Sequence, residues 1–256
     1  MVIKMKIAVI TGASSGLGVQ FALEIDRTRK EIDEIWLIAR RKERLAELSA
    51  KLSKPSKIFA LDITDTDALE EYTNALKTSA ANVKLLINNA GFGKFGQFDE
   101  LKAAENTGMI RLNCEALTYI SAETLPFMSE NSEIINVCSI ASFAPNTRLA
   151  VYSSTKAFVL SFSRALREEL KSRKINVLAA CPGPMETEFL SVAGIQKGTS
   201  RSFDTLPKVN PNTMAKKSLT ASNRKKAVYT NRAVYKFYRL IAKLLPASLV
   251  VKIASA

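Results

Sequence analysis

The sequence predicts an α/β protein built on a doubly wound parallel sheet of about seven strands, with helices on both faces. Short apolar runs rich in valine and isoleucine alternate along the chain with longer segments of helical periodicity. The short runs are apolar throughout, as is typical of parallel strands covered on both faces. The 256 residues suffice for one large domain and contain no Pro/Gly/Ser-rich linker. We expect one domain over residues 1–230 and a helical extension over 231–256.

The first strand, Lys6–Thr11, leads directly into a glycine-rich turn and a helix. Glycines let the backbone approach a pyrophosphate, whose charge is met by the N–H groups and the positive end of the helix. The spacing G-x-x-x-G-x-G differs from the commonest dinucleotide fingerprint, so the turn alone is a weak signal. The residues that we predict to bind a cofactor here are Gly12, Ser14, Ser15, Gly16, Leu17 and Gly18.

The second strand, Glu34–Ala39, ends in Arg40 and Arg41. An acidic residue at this point would bind the ribose hydroxyls of NAD, whereas arginine favours a 2′-phosphate through charge-assisted hydrogen bonds. No acid precedes Glu43, so the sequence predicts NADP(H) as the cofactor. The alternative is that the two arginines, Arg41 above all, only cap a strand at the surface.

Two further strands end in residues suited to a crevice wall. A helix over 42–52 precedes a strand over 57–61, and a helix over 65–80 precedes a strand over 83–87. Amide and small residues at the carboxyl end of a strand suit a ligand crevice, although they also suit a simple turn. We predict cofactor contacts from the residues that follow these strands, Asp62, Ile63, Asn88, Asn89, Ala90 and Gly91.

Residues 101–128 form one long helical pattern that carries Asn113 among apolar neighbours. A buried asparagine needs hydrogen-bond partners, so Asn113 is either a structural bracket or part of a polar relay.

Ser139, Tyr152 and Lys156 form the constellation around which the chain is organised. Ser139 follows the apolar strand that contains Ile134, Ile135 and Val137. Tyr152 and Lys156 are four residues apart on a helix predicted over 151–173, so they project from the same face. A nearby cation lowers the pKa of a phenol, and the Ser139 hydroxyl can hold a carbonyl oxygen. The alternative for Y-x-x-x-K is a solvated lysine beside a half-buried ring.

The sixth strand, Asn176–Cys181, is followed by three residues that we predict to contact the cofactor, Pro182, Gly183 and Thr187. Residues 188–212 show no firm periodicity and are a candidate mobile lid over the substrate. A helix over 212–223, an edge strand over 225–229 and a basic amphipathic helix over 232–245 complete the pattern, and Pro246 ends the last helix.

Composition narrows the function further. The absence of histidine excludes a Ser-His-Asp triad and the common zinc sites that contain histidine, and we predict no metal. The three cysteines are widely spaced, which favours reduced thiols in the core. Apolar runs are too short for a transmembrane helix, and the N-terminus leads straight into a strand, so we expect a cytoplasmic protein.

The net charge of +13 is concentrated near the C-terminus. Residues 201–256 contain 12 lysines and arginines but a single acid, Asp204. A basic amphipathic helix can lie on an anionic membrane surface, so peripheral membrane contact through 232–254 is one interpretation. The other, which we favour, is a helix packed on its own domain or on a partner subunit with its lysines outward. No motif accompanies the charge that would indicate nucleic-acid binding.

Taken together, these motifs resemble the short-chain dehydrogenase/reductase family over about residues 5–230. The matching motifs are TGASSGLG at 11–18, Asp62, NNAG at 88–91, Asn113, Ser139, YSSTK at 152–156 and PGPMET at 182–187. The resemblance implies a Rossmann-type fold and NAD(P)-dependent interconversion of an alcohol and a carbonyl compound. It also implies a homo-oligomer, a dimer or tetramer. The chain departs from much of the family in its basic and apolar C-terminal extension.

The resemblance also assigns roles to individual residues. Tyr152 exchanges the proton, Lys156 lowers the pKa of Tyr152 and binds the nicotinamide ribose, and Ser139 orients the substrate oxygen. Asn113 sustains a water relay, Thr187 holds the carboxamide and Asp62 holds the adenine. The expected function is therefore an NADP(H)-dependent oxidoreductase acting on a small carbonyl or alcohol substrate, such as a hydroxysteroid or a 3-oxoacyl compound. The alternative is an NADP(H)-binding regulator or sensor with little catalysis.

Overall fold

The computed structural model describes residues 5–79, 81–196, 198 and 201–253. Within them, seven strands form a single sheet in the order β3-β2-β1-β4-β5-β6-β7. All neighbouring strands are parallel. The strands are β1 (Lys6–Thr11), β2 (Glu34–Ala39), β3 (Ser56–Ala60), β4 (Asn82–Asn88), β5 (Glu133–Val137), β6 (Asn176–Cys181) and β7 (Val228–Thr230). The predicted Rossmann-type sheet is confirmed.

Helices cover both faces of the sheet. In chain order they are α1 (Gly16–Thr28), α2 (Lys42–Ser49), α3 (Leu69–Thr78), α4 (Ala103–Ile110), α5 (Leu117–Thr124), α6 (Ala150–Glu169), α7 (Glu188–Val192), α8 (Arg201–Thr205), α9 (Pro211–Asn223), α10 (Ala233–Leu244) and α11 (Ala247–Ile253). No helix in the described part of the chain is long and apolar enough to cross a membrane.

Successive residues of each central strand point to opposite faces of the sheet and pack into two separate hydrophobic cores. On one face, Ile10 packs in a cluster with Phe21 of α1 and Met214 of α9. On the other face, Val9 packs in a cluster with Tyr72 of α3. Burial of one such side chain contributes about 1.5–3 kcal/mol to the free energy of unfolding. Strands that are buried on both faces therefore stabilise the whole domain. This two-sided burial explains why the strands are apolar throughout.

Strands β2 and β3 lie on one side of β1, and the chain then crosses over so that β4 lies on the other side. The strand order runs outward from β1 to β3 and then resumes on the other side of β1 with β4. Loops that leave the carboxyl ends of β1 and β4 therefore diverge and leave a crevice between them.

Two of the predicted helices begin or divide at points that the sequence periodicity did not show. The helix predicted over 65–80 begins only at Leu69, because the Asp65 carboxylate accepts hydrogen bonds from the backbone N–H groups of Asp67 and Ala68 and forms a turn. Residue 80 lies outside the described residues. The long pattern over 101–128 is divided by a π-helical segment, Arg111–Ala116, between α4 and α5. Such segments are frequent at functional sites.

The segment predicted as a lid contains two short helices, α7 and α8. Val209 is buried there, and its backbone N–H donates to the Pro184 carbonyl over 2.8 Å. The predicted apolar segment after Pro246 forms α11 as far as Ile253, and the predicted remainder lies outside the described residues.

Candidate active site

A cleft of about 960 Å³ lies at the carboxyl ends of the strands. Most of the residues predicted to bind a cofactor or react line its wall: Gly12, Ser14, Ser15, Gly16, Leu17, Arg40, Arg41, Asp62, Ile63, Asn89, Ala90, Gly91, Ser139, Tyr152, Lys156, Pro182, Gly183 and Thr187. Three predicted residues, Gly18, Asn88 and Asn113, do not belong to this wall. Each of the three makes a structural contact instead.

The glycine turn has no room for side chains at Gly12 and Gly18. Gly12 has a positive φ of 67°, and a Cβ atom on it would lie 2.8 Å from the Cα of Ala90. Ser15 precedes α1 and makes no side-chain capping bond, so the first N–H groups of this 13-residue helix are not capped by it. A Cβ on Gly18 would overlap the Gly12 carbonyl oxygen, which shows that this glycine is required for packing the helix on the turn.

Thr11 and Asn89 join the two loops of the crevice. The Thr11 hydroxyl accepts hydrogen bonds from the backbone N–H groups of Asn89 and Ala90, both over 3.0 Å. The Asn89 amide donates to the carbonyls of Thr11 and Gly12 over 3.1 Å. These bonds fix the NNAG turn against the glycine turn. Thr11 was not predicted to be a site residue, although it is the first residue of the TGASSGLG motif.

Asn88 lies inside the protein rather than on the cleft. Its side chain is 2% exposed and donates to Ser121 and to Asn136, each over 2.9 Å. Asn136 in turn donates to Ser163 on α6. The side chains of a strand alternate between faces, so the first asparagine of NNAG joins β4 to β5 and the helices behind them.

The two arginines after β2 carry ion pairs at the edge of the cleft. Arg41 donates to the Ser14 hydroxyl over 3.2 Å and forms an ion pair with Glu188 of 2.9 Å. Arg44 also pairs with Glu188, and the two guanidiniums hold the pKa of this carboxyl below its usual range. Arg40 is 3.7 Å from Asp62 and its side chain is 77% exposed. A cationic corner beside a serine hydroxyl fits a phosphate group.

Tyr152 is buried on the wall of the cleft that Ser139 also lines. Burial raises the pKa of Tyr152 to about 12, and the Ser139 hydroxyl acts against this rise. Ser139 follows β5 and its hydroxyl accepts from the N–H of Ala141 over 3.1 Å, which orients it. The phenol is therefore protonated at neutral pH.

Lys156 lies beside Tyr152 on the same face of α6. Its ammonium group donates to the Val137 carbonyl over 2.9 Å and lies 5.9 Å from the centre of the Tyr152 ring. The side chain is 4% exposed, and burial lowers the pKa of Lys156. Burial is the largest influence on both groups, because it raises the pKa of the phenol and lowers the pKa of the ammonium group.

Asn113 forms a structural bracket, the first of its two predicted roles. It is fully buried in the π-helical segment and exchanges hydrogen bonds with the backbone of Phe92, over 3.0 and 2.9 Å. It also donates to Thr155 over 3.0 Å. Asn113 thereby ties the loop after β4 to α6, the helix that carries Tyr152 and Lys156.

Thr187 and Gly183 support the side of the cleft formed after β6. The Thr187 hydroxyl caps α7 by accepting from the Phe189 N–H over 3.3 Å. A Cβ on Gly183 would overlap the Tyr235 ring, so this glycine makes room for a side chain of α10. Tyr235 in turn donates to the Pro207 carbonyl over 2.6 Å.

Sequence reasoning missed the apolar part of the wall and the carboxylate that faces the arginines. Phe189 packs on the Tyr152 ring with centres 5.5 Å apart. Other apolar side chains on the wall are Phe92, Leu149, Met185, Leu190, Ile195 and Leu206. These residues come from several loops with no common spacing. Met185 lies inside the PGPMET motif, and Phe92 and Glu188 directly follow predicted residues, so the motifs could have indicated these three.

Residues 6–197 match the family model described as short chain dehydrogenase. The chain is 34% identical over 208 residues to a serine 3-dehydrogenase of Agrobacterium fabrum, which covers 79% of this chain and 80% of that protein. It is 30% identical over 208 residues to a fatty acyl-CoA reductase of Acinetobacter baylyi, which covers 76% of this chain and 68% of that protein.

Among solved structures, a short-chain dehydrogenase from Sphingobium yanoikuyae in complex with NADPH has a TM-score of 0.76 and 29% identity. The match covers 93% of this chain and 92% of that chain. The fold, the cleft and these matches define an oxidoreductase of the doubly wound α/β class. The chain belongs to the short-chain dehydrogenase/reductase family, whose members act on CH–OH donors.

Proposed function

We propose that the protein is an NADP(H)-dependent reductase that converts a ketone to a secondary alcohol. The observation that carries the proposal is the buried Tyr152 phenol, which is protonated at neutral pH and shares the wall of the cleft with Ser139. A protonated phenol beside a second hydroxyl is suited to receive a carbonyl oxygen.

The residues of the cleft fit a dinucleotide phosphate. The glycine turn would hold the pyrophosphate at the start of α1, and Ser14, Arg40 and Arg41 would hold the 2′-phosphate. Asp62 and Ile63 would lie beside the adenine, while Thr187 and Lys156 would lie beside the nicotinamide end. Bound NADPH supplies the hydride.

Tyr152 and Ser139 would bind the carbonyl oxygen of the substrate between them. As the oxygen gains negative charge, the Tyr152 hydroxyl donates its proton, so an alkoxide never fully forms. Proton transfer by a positioned group contributes about 10²- to 10⁴-fold. Lys156, held by the Val137 carbonyl, stays beside the tyrosine ring. Asn113 positions α6 through its bonds to Phe92 and Thr155.

The wall beside Tyr152 supports an apolar substrate. Phe189, Leu190 and Ile195 come from α7 and the segment after it, while Leu149 and Met185 come from other loops. Each methylene group transferred into such a wall contributes about 0.8 kcal/mol. For a series of 2-ketones of increasing chain length, we expect kcat/KM to rise about fourfold per added methylene until the cleft is filled. A flat series would contradict the apolar subsite.

A homo-oligomer is part of the proposal. Phe158 on α6 is 44% exposed and stacks on Phe162, and Ile110 at the end of α4 is 50% exposed. Adjacent exposed apolar side chains on two helices are typical of a subunit interface. Light scattering should give a mass of two or four chains, and Phe158→Glu should reduce that mass.

The deciding experiment measures NADPH oxidation with a panel of ketones. Turnover by the wild-type protein and its loss in Tyr152→Phe are expected. An NADP(H)-binding regulator or sensor would instead bind NADPH and leave every ketone unreduced. Since Ser139, Tyr152 and Lys156 all line the cleft, we favour the enzyme.

A further inference from the structure

The two C-terminal helices present an apolar surface outward. Helix α10 packs inward through Tyr235, which is 1% exposed, and α11 packs through Val250, which is 2% exposed. Elsewhere on the two helices, five large apolar side chains are exposed over 38–68% of their surface, and we call these five residues the tail surface: Phe237, Leu240, Leu244, Leu245 and Leu249. The interpretation that we favoured from the sequence, a helix packed on its own domain or on a partner subunit with its lysines outward, stays a prediction.

On α10 the residues of the tail surface follow helical periodicity. Phe237, Leu240 and Leu244 follow one another at helical spacing of three and four residues, so they form one stripe along α10. Exposed lysines at 236 and 243 flank this stripe, and Lys252 is exposed on α11. Monomeric soluble proteins rarely expose a contiguous apolar patch of this kind without a binding function.

Charge decides between the possible occupants of the tail surface. Residues 205–256 contain no aspartate or glutamate, whereas lysines and arginines recur throughout the segment. A symmetric dimer through this surface would bring the same patch of two subunits together. The two cationic rims would then face each other without a carboxylate from either tail to neutralise them. An anionic lipid surface supplies both the apolar phase and the negative charge.

We propose that α10 and α11 dock the protein on an anionic membrane surface, with the tail surface in the acyl region and the flanking lysines at the headgroups. An apolar face and a basic rim together give stable peripheral binding to a membrane, because apolar burial adds to the attraction between lysines and anionic lipids. The docking itself does not depend on the proposed reaction.

Docking would also place the cleft beside the lipid. Val234, Tyr235 and Tyr238 belong to α10 and line the cleft, so this helix would border both the membrane surface and the cleft. Resting on the proposed function, this geometry favours carbonyl compounds with long apolar chains, which partition into the lipid.

The test is co-sedimentation of the full-length protein with vesicles of phosphatidylcholine alone and with about one third phosphatidylglycerol. We expect binding to the anionic vesicles and at least tenfold weaker binding to the neutral ones. Phe237→Ser/Leu244→Ser should weaken binding by about tenfold or more. Lys236→Gln/Lys243→Gln should weaken it by about fivefold for each lysine removed.

Phe98 provides the matched control, because it is 65% exposed and lies outside the tail, against 63% for Phe237. Phe98→Ser should bind vesicles like the wild type. Equal loss in Phe98→Ser, or no binding of the wild type to anionic vesicles, would overturn the proposal. A change in oligomer mass in Phe237→Ser/Leu244→Ser without vesicle binding by the wild type would assign the tail surface to a second copy instead.

Two activity measurements separate this proposal from the proposed function. Turnover of a short, water-soluble ketone should be unchanged in Phe237→Ser/Leu244→Ser, which also shows that the variant is folded. Turnover of a long-chain ketone carried in anionic vesicles should fall at least fivefold in that variant. Equal turnover of the vesicle-borne ketone by the variant and the wild type would contradict delivery of substrate from the membrane. If the wild type binds vesicles but reduces no ketone, the proposed reductase function is contradicted and the docking proposal is not.

Discussion

Tyr152 and Arg41 lie on the same cleft, beyond β5 and β2 respectively, and are held there in opposite ways. Tyr152 is buried, and neighbouring side chains on its helix are tied to backbone groups, such as Lys156 to the Val137 carbonyl. Arg41 is 42% exposed and is held by a serine hydroxyl and a carboxylate. The buried corner is fixed by groups that cannot exchange with water, whereas the exposed corner is held by ion pairs that solvent screens.

We therefore expect large effects of single substitutions in the buried corner and smaller effects in the exposed corner. In the buried corner, removal of one group leaves others without partners or removes the proton donor itself. In the exposed corner, water and neighbouring charges compensate for much of what is lost.

The largest effect is expected for Tyr152→Phe. This change removes the proton donor and keeps the ring that packs on Phe189. We expect kcat with the best ketone to fall between about a hundredfold and ten-thousandfold. The dissociation constant for NADPH, measured by fluorescence titration, should stay within a few fold.

Tyr238→Phe is the control, because Tyr238 also lines the cleft but belongs to α10. Near-normal turnover in Tyr152→Phe, or an equal loss in Tyr238→Phe, would remove the role assigned to Tyr152.

The pH dependence of the two reaction directions should differ. Because burial raises the pKa of Tyr152 to about 12, the phenol stays protonated throughout the working pH range. Ketone reduction needs the protonated form and should not decline through deprotonation of Tyr152 at any pH below that value. Alcohol oxidation needs the deprotonated form, so its kcat/KM should rise about tenfold per pH unit from neutral pH upward.

The two pH profiles can be measured by stopped-flow spectroscopy, which follows the absorbance of the reduced nicotinamide. An oxidation rate that reaches a plateau near neutral pH would show that another group titrates.

A smaller and more selective effect is expected at the exposed corner. Arg41→Ala removes the guanidinium that contacts Ser14 and should weaken NADPH binding by about tenfold. Arg40→Ala should act in the same direction. NADH lacks the 2′-phosphate, so its dissociation constant should change little in either variant, as calorimetry can show. Equal loss for both cofactors would contradict the preference for NADP(H).

The smallest effect is expected for Glu188, whose carboxylate forms ion pairs with the guanidinium groups of Arg41 and Arg44. A phosphate at this corner must share or displace that carboxylate. Glu188→Gln should therefore tighten NADPH binding by about two- to fivefold and leave NADH binding unchanged. The gain should shrink as salt is raised, because exposed ion pairs are screened. Glu186→Gln is the control, since Glu186 pairs with Lys208 instead. Weaker NADPH binding in Glu188→Gln would show that this carboxylate supports the corner.

The tail offers a second contrast, with the core of the same chain. Both contain apolar residues at regular spacing, but those of the strands face helices on both sides, whereas Phe237 and Leu244 face outward. Periodicity shows that a helix has an apolar face, and it does not show what covers that face.

The sequence alone determined the order of the elements and the positions of the motifs. The bounds of β1, β2 and β6 are those predicted, because an apolar run ended by glycine, arginine or proline is a local signal. The glycine turn, the residues after β2 and the Ser139–Tyr152–Lys156 constellation follow from the rule that parallel strands end at one edge.

Tertiary structure alone decided three matters. Which face of β4 each asparagine of NNAG occupies determined that Asn89 joins the cleft and Asn88 the core. Burial, which depends on every neighbouring element, decided that the pKa of Tyr152 rises although a lysine lies four residues away. The packing of Tyr235 under Gly183 decided which side of α10 turns outward. Spacing along a chain fixes relative direction, whereas solvation and contact depend on residues that are distant in sequence.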